Sequence, residues 1–260
     1  MLRIRFLLFL AGLACLAQVQ AQTPLRVAAA ADLEPVLPPI LAQFTQTTGI
    51  RAEATFQASA VLTTQILNGA PFDLFLSADL GYPQRLIAAG LAEGAAGTPD
   101  STTPITYAKG TLVLWERHNP KMPAPGPNLL RSPELKRLAI ANPDRAPYGK
   151  AAVAALTSLK LYDSLKPRIV TAENISQAAQ FVDSGNADAG LISLTSARTP
   201  ELSSSGEYWV IPRSLYPPIE QGAVIIRNTA QRAAAHKLLD YLLSPPIQAQ
   251  LAKSGLTPAK

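Results

Sequence analysis

Hydrophobic positions recur along this chain in two alternating rhythms. Residues 25–31 form an apolar run broken only by Arg26, the pattern of a strand covered on both faces. Leu33, Val36, Leu37, Ile40, Leu41 and Phe44 then return at helical spacing, and Gly49 stands where such a helix would end. Ile50, Ala52, Ala54 and Phe56 alternate with Arg51, Glu53 and Thr55, which predicts a strand with one wet face. The succession continues with a helix over 61–68 stopped by Gly69, a strand over 72–77 and a helix over 82–89.

Further on, the spacing predicts strands over 111–115, 138–141, 169–170, 189–194 and 223–226. Helices are expected over 150–159, over 175–182 with Gly185 as the stop, over 229–243 and over 247–253. Three prolines between 121 and 128 mark a surface loop, and Ser132-Pro133-Glu134 reads as the cap and first position of a short helix. Strands alternating with helices argue an α/β architecture with largely parallel sheet. Segments 104–109 and 216–221 read as crossings between two lobes. Residues 22–105 with 217–260 would form lobe 1, and 106–216 lobe 2, with a ligand cleft between them.

The first 21 residues follow a different logic. Arg3 and Arg5 precede an apolar run from Phe6 to Leu16, and Val19-Gln20-Ala21 sets small residues at a cleavage position. The run is shorter than the ~20 residues a membrane-spanning helix needs. It predicts a secretory signal peptide, 1–21, cleaved after Ala21 to leave a periplasmic chain starting at Gln22. Lipidation at Cys15 is the alternative, although Gly12-Leu13-Ala14-Cys15 lacks the usual large apolar residue three positions earlier.

Composition removes whole classes of function. An apolar fraction of 48% supports a sizeable core and excludes intrinsic disorder. Cys15 is the only cysteine and falls in the leader, so the exported chain would have no disulfide, thiolate nucleophile or thiolate metal site. His118 and His236 lie far apart and make no metal-ligand pattern. The net charge of +5 is spread without any basic run, so nucleic acid is not an expected partner. Ser59 and Ser193 lack the G-x-S-x-G setting of a hydrolase nucleophile, which leaves an exported hydrolase as the remote alternative.

Chemistry concentrates at the turns where a strand feeds a helix. Four stand out: Ala30-Ala31-Asp32-Leu33, Gln57-Ala58-Ser59-Ala60, Ala146-Pro147-Tyr148-Gly149 and Glu173-Asn174-Ile175. First-turn amides lack intrahelical partners, and the helix dipole adds roughly half a positive charge there. Any one such turn needs only a cap. Several converging on one cleft would bind an oxyanion without lysine or arginine.

Over about 25–256 these motifs, in this order, resemble the periplasmic molybdate-binding protein family, the solute receptors of molybdate ABC importers. The strongest matching string is Asn68-Gly69-Ala70-Pro71-Phe72-Asp73-Leu74-Phe75-Leu76-Ser77-Ala78-Asp79. Val27-Ala28-Ala29-Ala30-Ala31-Asp32-Leu33 and Asn142-Pro143 through Ala146-Pro147-Tyr148-Gly149 match in the right sequence and spacing. The resemblance implies a two-lobed, type II periplasmic binding-protein fold holding molybdate or tungstate through neutral donors. It implies no covalent chemistry, no cofactor and no direct metal coordination, and a monomeric receptor that delivers to a membrane permease.

Carried over position by position, ligand contacts would fall at Asp32, Ser59, Tyr148 and Ile175. Tyr148 and Ile175 would act through backbone N–H groups, and Ser59 through its hydroxyl and N–H. Ser193 stands where some members place a tyrosine hydroxyl. Asp32 replaces the family's usual Ser or Asn, and its charge should repel a dianion. Two unit charges 4 Å apart interact by about 4 kcal/mol at an effective dielectric of about 20.

Three arrangements would relieve that conflict. Asp32 could turn away to cap its own helix at the Glu34 N–H, which is the arrangement favoured here. It could accept from a protonated anion of the phosphate or arsenate type, or pair with a nearby arginine or lysine. A receptor for a small amino acid stays open on the same fold, with Asp32 toward the amine and Arg145 or Arg51 toward the carboxylate.

Overall fold

The computed structural model describes residues 23–94 and 103–259, so the leader, Cys15 and the expected cleavage site lie outside the described residues. In the first lobe, β1 (Leu25–Ala30), β2 (Ala52–Gln57) and β3 (Leu74–Ser77) run parallel, with β1 in the centre. Helices α1 (Leu37–Thr48), α2 (Ser59–Leu67) and α3 (Gly81–Ala88) make the crossovers. β4 (Ala92–Glu93) and β5 (Ile105–Gly110) follow before the chain leaves for the second lobe.

The second lobe opens with β6 (Leu112–Arg117), α4 (Pro127–Arg131), β7 (Leu138–Ala141), α5 (Pro147–Ser158) and α6 (Tyr162–Leu165). It continues through β8 (Ile169–Ala172), α7 (Ile175–Asp183), β9 (Ala189–Ser193), α8 (Leu194–Ala197), α9 (Pro200–Ser205) and β10 (Gly206–Val210). The chain then returns to the first lobe as β11 (Ile219–Ile226), α10 (Arg232–Leu243), α11 (Pro245–Lys253) and β12 (Thr257–Pro258). The sheet orders are β12-β5-β11-β3-β1-β2, with β4 also on β11, and β10-β6-β9-β7-β8.

Side-chain alternation explains why β1 reads as continuously apolar. Val27 and Ala29 pack on the face covered by α1, α10 and α11, while Ala28 packs on the face covered by α2 and α3. A third apolar cluster fills the second lobe around Trp115 and Leu138, and it also takes in Ala30, Ala31, Ala58 and Ala78 of the first lobe. The lobes therefore meet through small apolar residues at the carboxyl ends of the first-lobe strands.

Three expectations need correction. The sheets are mixed: among the described residues only β1–β2, β1–β3, β7–β8 and β7–β9 are parallel, in the stretches where α1 and α2, or α5 to α7, carry the chain back between successive strands. The passage between lobes lies at Thr111, since β5 pairs along β11 as far as Gly110 and extends the first sheet beyond residue 105. The Tyr216 hydroxyl accepts from the Leu112 N–H at 3.2 Å and ties the outgoing and returning crossings together. Finally, Ser132 ends α4 instead of starting a helix, and its hydroxyl accepts from the Glu134 backbone N–H.

Candidate functional site

The four turns singled out in the sequence come together at one tightly closed cleft with a cavity of about 10 Å³. Ala30–Asp32 and Gln57–Ser59 line it from the first lobe, with Ala78, and Ala146–Tyr148, Asn174 and Ile175 from the second. Among the described residues no lysine or arginine lines it.

Local sequence sets each donor. Ala58 (φ −60°, ψ 140°) is extended and lets α2 start at Ser59. Pro147 pre-forms the first turn of α5, and the Asn174 side chain accepts from the Gln177 N–H at 2.9 Å to cap α7. The first-turn amides of Ser59, Tyr148 and Ile175 have no intrahelical acceptor and no other acceptor among the described residues. The Ser59 hydroxyl accepts from the Ala78 N–H at 3.1 Å, which occupies one lone pair and leaves its proton free to be donated.

Asp32 sits on a single 3₁₀ turn, Ala31–Leu33, and is fully buried. The expected cap does not form, because the Glu34 N–H goes to the Ala31 carbonyl at 3.1 Å. The carboxylate instead takes donors from two other elements. Its Oδ2 accepts from the Tyr148 hydroxyl at 3.1 Å and from the Gln221 amide through a short bond, and its Oδ1 has no partner among the described residues. Burial pushes the Asp32 carboxyl up to about 7, and the bonds from Gln221 and Tyr148 partly oppose that rise.

Tyr148 thus contributes a side chain as well as an amide, and that side chain is buried across the lobe boundary. Neither candidate arginine lines the cleft. Arg145 pairs with Glu173 at 2.6 Å and Arg51 with Glu53 at 3.0 Å, all four side chains being at least half exposed. Ser193 is buried but does not line the cleft. Its hydroxyl caps α8 by accepting from the Ser196 N–H at 3.2 Å and lies 2.8 Å from the Thr195 hydroxyl. Thr195 in turn donates to the Asp32 carbonyl at 2.7 Å, so Ser193 stands behind the Asp32 turn.

Three contributors escaped the sequence reading. Gln221 carried a signal, as the polar residue leading into the apolar run 223–226. Thr195 and Ser176 carried none. Ser176, in the first turn of α7, donates to the Ala31 carbonyl at 2.8 Å. Together with Ala60 N–H to the Arg145 carbonyl at 3.1 Å, Thr195 to Asp32 and Tyr148 to Asp32, it pins one lobe to the other around the cleft.

Such a site can hold an anion and fix its orientation. It has no imidazole beside Ser59, since His118 and His236 pair with Glu207 and Glu93 elsewhere.

Residues 25–257 match the family model described as bacterial extracellular solute-binding protein. The chain is 38% identical to the molybdate-binding protein ModA of Rhodobacter capsulatus over 214 residues, 82% of this chain and 80% of that one. It is also 38% identical to ModA of Azotobacter vinelandii over 233 residues, covering 90% and 88%. The solved structure of the Azotobacter vinelandii periplasmic molybdate-binding protein superposes with a TM-score of 0.83 at 33% identity, covering 91% of this chain and all of that one.

Proposed function

The chain belongs to the bacterial extracellular solute-binding proteins, and from that premise we propose that it captures molybdate, and tungstate with it, for an ABC importer. Capture is closure of two lobes on a tetrahedral dianion, with no bond made or broken and no cofactor involved. The observation that carries this reading is the convergence of three unpaired helix-start amides and the Ser59 hydroxyl on a small cleft without basic side chains.

Neutral donors suit an anion that is to be released again. Each amide contributes a hydrogen bond and a share of the helix dipole, and none brings a full countercharge. In this reading the anion's oxygens face the amides of Ser59, Tyr148 and Ile175 and the Ser59 hydroxyl, so no side chain ligates the metal centre itself. Ser193 supports the Asp32 turn through Thr195. The receptor acts as a monomer in the periplasm after loss of residues 1–21, and its macromolecular partner is the importer's membrane permease.

Calorimetric titration of residues 22–260 with molybdate, tungstate, sulfate and phosphate in one buffer tests the proposal. The expected result is tight 1:1 binding of the first two and little response to the others. Heat with a small amino acid and none with any oxyanion would overturn it.

A further inference from the structure

An oxyanion site built from amides leaves Asp32 unexplained, because its two oxygens have unlike surroundings. Oδ2 accepts from Tyr148 on α5 and Gln221 on β11. Oδ1 is buried and has no partner among the described residues. An ionised carboxylate would leave that acceptor empty and set a full charge against the anion.

The bonds from Gln221 and Tyr148 and the backbone N–H of Asp32 itself favour the charged form, but burial outweighs them and none of them bonds to Oδ1. Tyr148 from α5, Tyr107 from β5, Gln221 from β11 and Thr195 from α8 are the polar groups that face or influence it. The Tyr107 and Tyr148 hydroxyls are themselves held well above their ordinary range by burial and by Asp32, so they stay neutral donors. The pair Arg145–Glu173 is exposed and already matched at 2.6 Å.

Resting on the oxyanion reading of this cleft, we infer that Asp32 is protonated on Oδ1 when the closed cleft holds its anion and donates to an anion oxygen, so that each dianion is captured with one proton from solvent. Protonation turns the vacant acceptor into a donor. It also removes the opposing charge and keeps Oδ2 as the acceptor for Tyr148 and Gln221, as a carbonyl-type oxygen requires. No covalent bond changes, and the proton returns to solvent when the lobes open. Burial, net of the opposing hydrogen bonds, brings the carboxyl to about 7, and an adjacent dianion raises it further. A ligand that must itself donate, such as hydrogen phosphate, then meets donors on every side and is rejected.

The test is calorimetry of the full exported chain with sodium molybdate at about pH 8.5, in two buffers with different ionisation heats. Uptake approaching one proton per anion is expected, with affinity falling by up to about tenfold per pH unit above the ligand-free titration point. Asp32→Asn should abolish the uptake and flatten the pH profile, while Asp32→Ser provides a second neutral variant should the first fail to fold. Tight, pH-independent molybdate binding without proton uptake overturns this inference and leaves the functional reading standing. Phosphate bound more tightly than molybdate, without uptake, would show an ionised Asp32 acting as acceptor and would also overturn it. Silence toward molybdate at every pH overturns both.

Discussion

Gly110 offers a direct way to weaken lobe closure without touching the anion's own contacts. It ends β5 at the passage between lobes, and its backbone is not in the left-handed region, so alanine suits the local conformation. A Cβ built there would lie deep within the contact radius of the Tyr148 Oη, 2.9 Å from its Cζ and 3.0 Å from Cγ2 of Ile219. Tyr148 belongs to the other lobe, so the collision with its hydroxyl exists only when the lobes are closed, whereas the milder contact with Ile219 on the paired strand β11 is present in both states. Relieving it displaces the ring and breaks the Tyr148–Asp32 bond.

Overpacking costs about 1–3 kcal/mol, and the lost neutral hydrogen bond adds about 0.5–1.5 kcal/mol. A total of about 1.5–4.5 kcal/mol, so far as it falls on the closed state, weakens molybdate binding by ~10- to ~1,600-fold, at about 1.4 kcal/mol per factor of ten. Calorimetry on Gly110→Ala measures the loss, and small-angle scattering with saturating molybdate reports the shift toward open lobes. In a Tyr148→Phe background the worst contact is gone, so the double variant should lose less than the sum of the two single losses. Wild-type affinity for Gly110→Ala, or strict additivity in the cycle, would refute the claim that Tyr148 abuts Gly110 in the working closed state.

Ser59→Ala removes one hydroxyl donor and should weaken binding by about 1–2 kcal/mol by calorimetry, with sulfate still rejected. Tyr148→Phe takes away a bond that favours the charged form of Asp32, so proton uptake on binding should persist to higher pH than in the parent chain. Glu116, opposite Glu207 across β6 and β10, is pushed up to about 7 by burial and by that neighbouring carboxylate. A carboxyl raised on folding costs stability as pH climbs from its unfolded value, near 4.5, through about 7. Glu116→Gln should therefore raise the melting temperature at about pH 8, by a stability gain on the order of 1 kcal/mol, and have little effect near pH 4. A larger gain at the acid end would mean that the carboxylate is stabilised, not penalised.

Backbone rhythm made most of the fold legible. Gly49, Gly69 and Gly185 do take positive φ at the ends of α1, α2 and α7, where only glycine turns without strain. The α1 start was misplaced because Leu33 belongs to the apolar stripe yet sits on a 3₁₀ turn, and the helix proper begins at Leu37 with prolines in its first turn. β5 and the early half of β11 stayed hidden because their residues are polar or mixed and are held by pairing with each other instead of by an apolar stripe. At the site, the four turns were readable because helix starts need small or capping residues. Which way the side chains run was not. Whether Asp32 caps or reaches Tyr148 depends on an element 116 residues away, and no local pattern encodes that. The most specific motif, 68–79, proved mainly structural: Asp73 accepts from the Arg26 N–H at 2.7 Å to fix the start of β1, and Ala78 alone of that string lines the cleft.

The bonds from Ser176, Thr195, Tyr148 and Ala60 that cross the lobe boundary also set the clock of the molecule. An anion enclosed behind them leaves only when the lobes part, so residence time follows the opening rate, which these bonds set together with the anion's own contacts to both lobes. A variant that cuts one of these bonds should shorten residence while leaving the encounter rate nearly unchanged. The importer, to unload its receptor, has to supply work against this latch and need never compete for the anion directly.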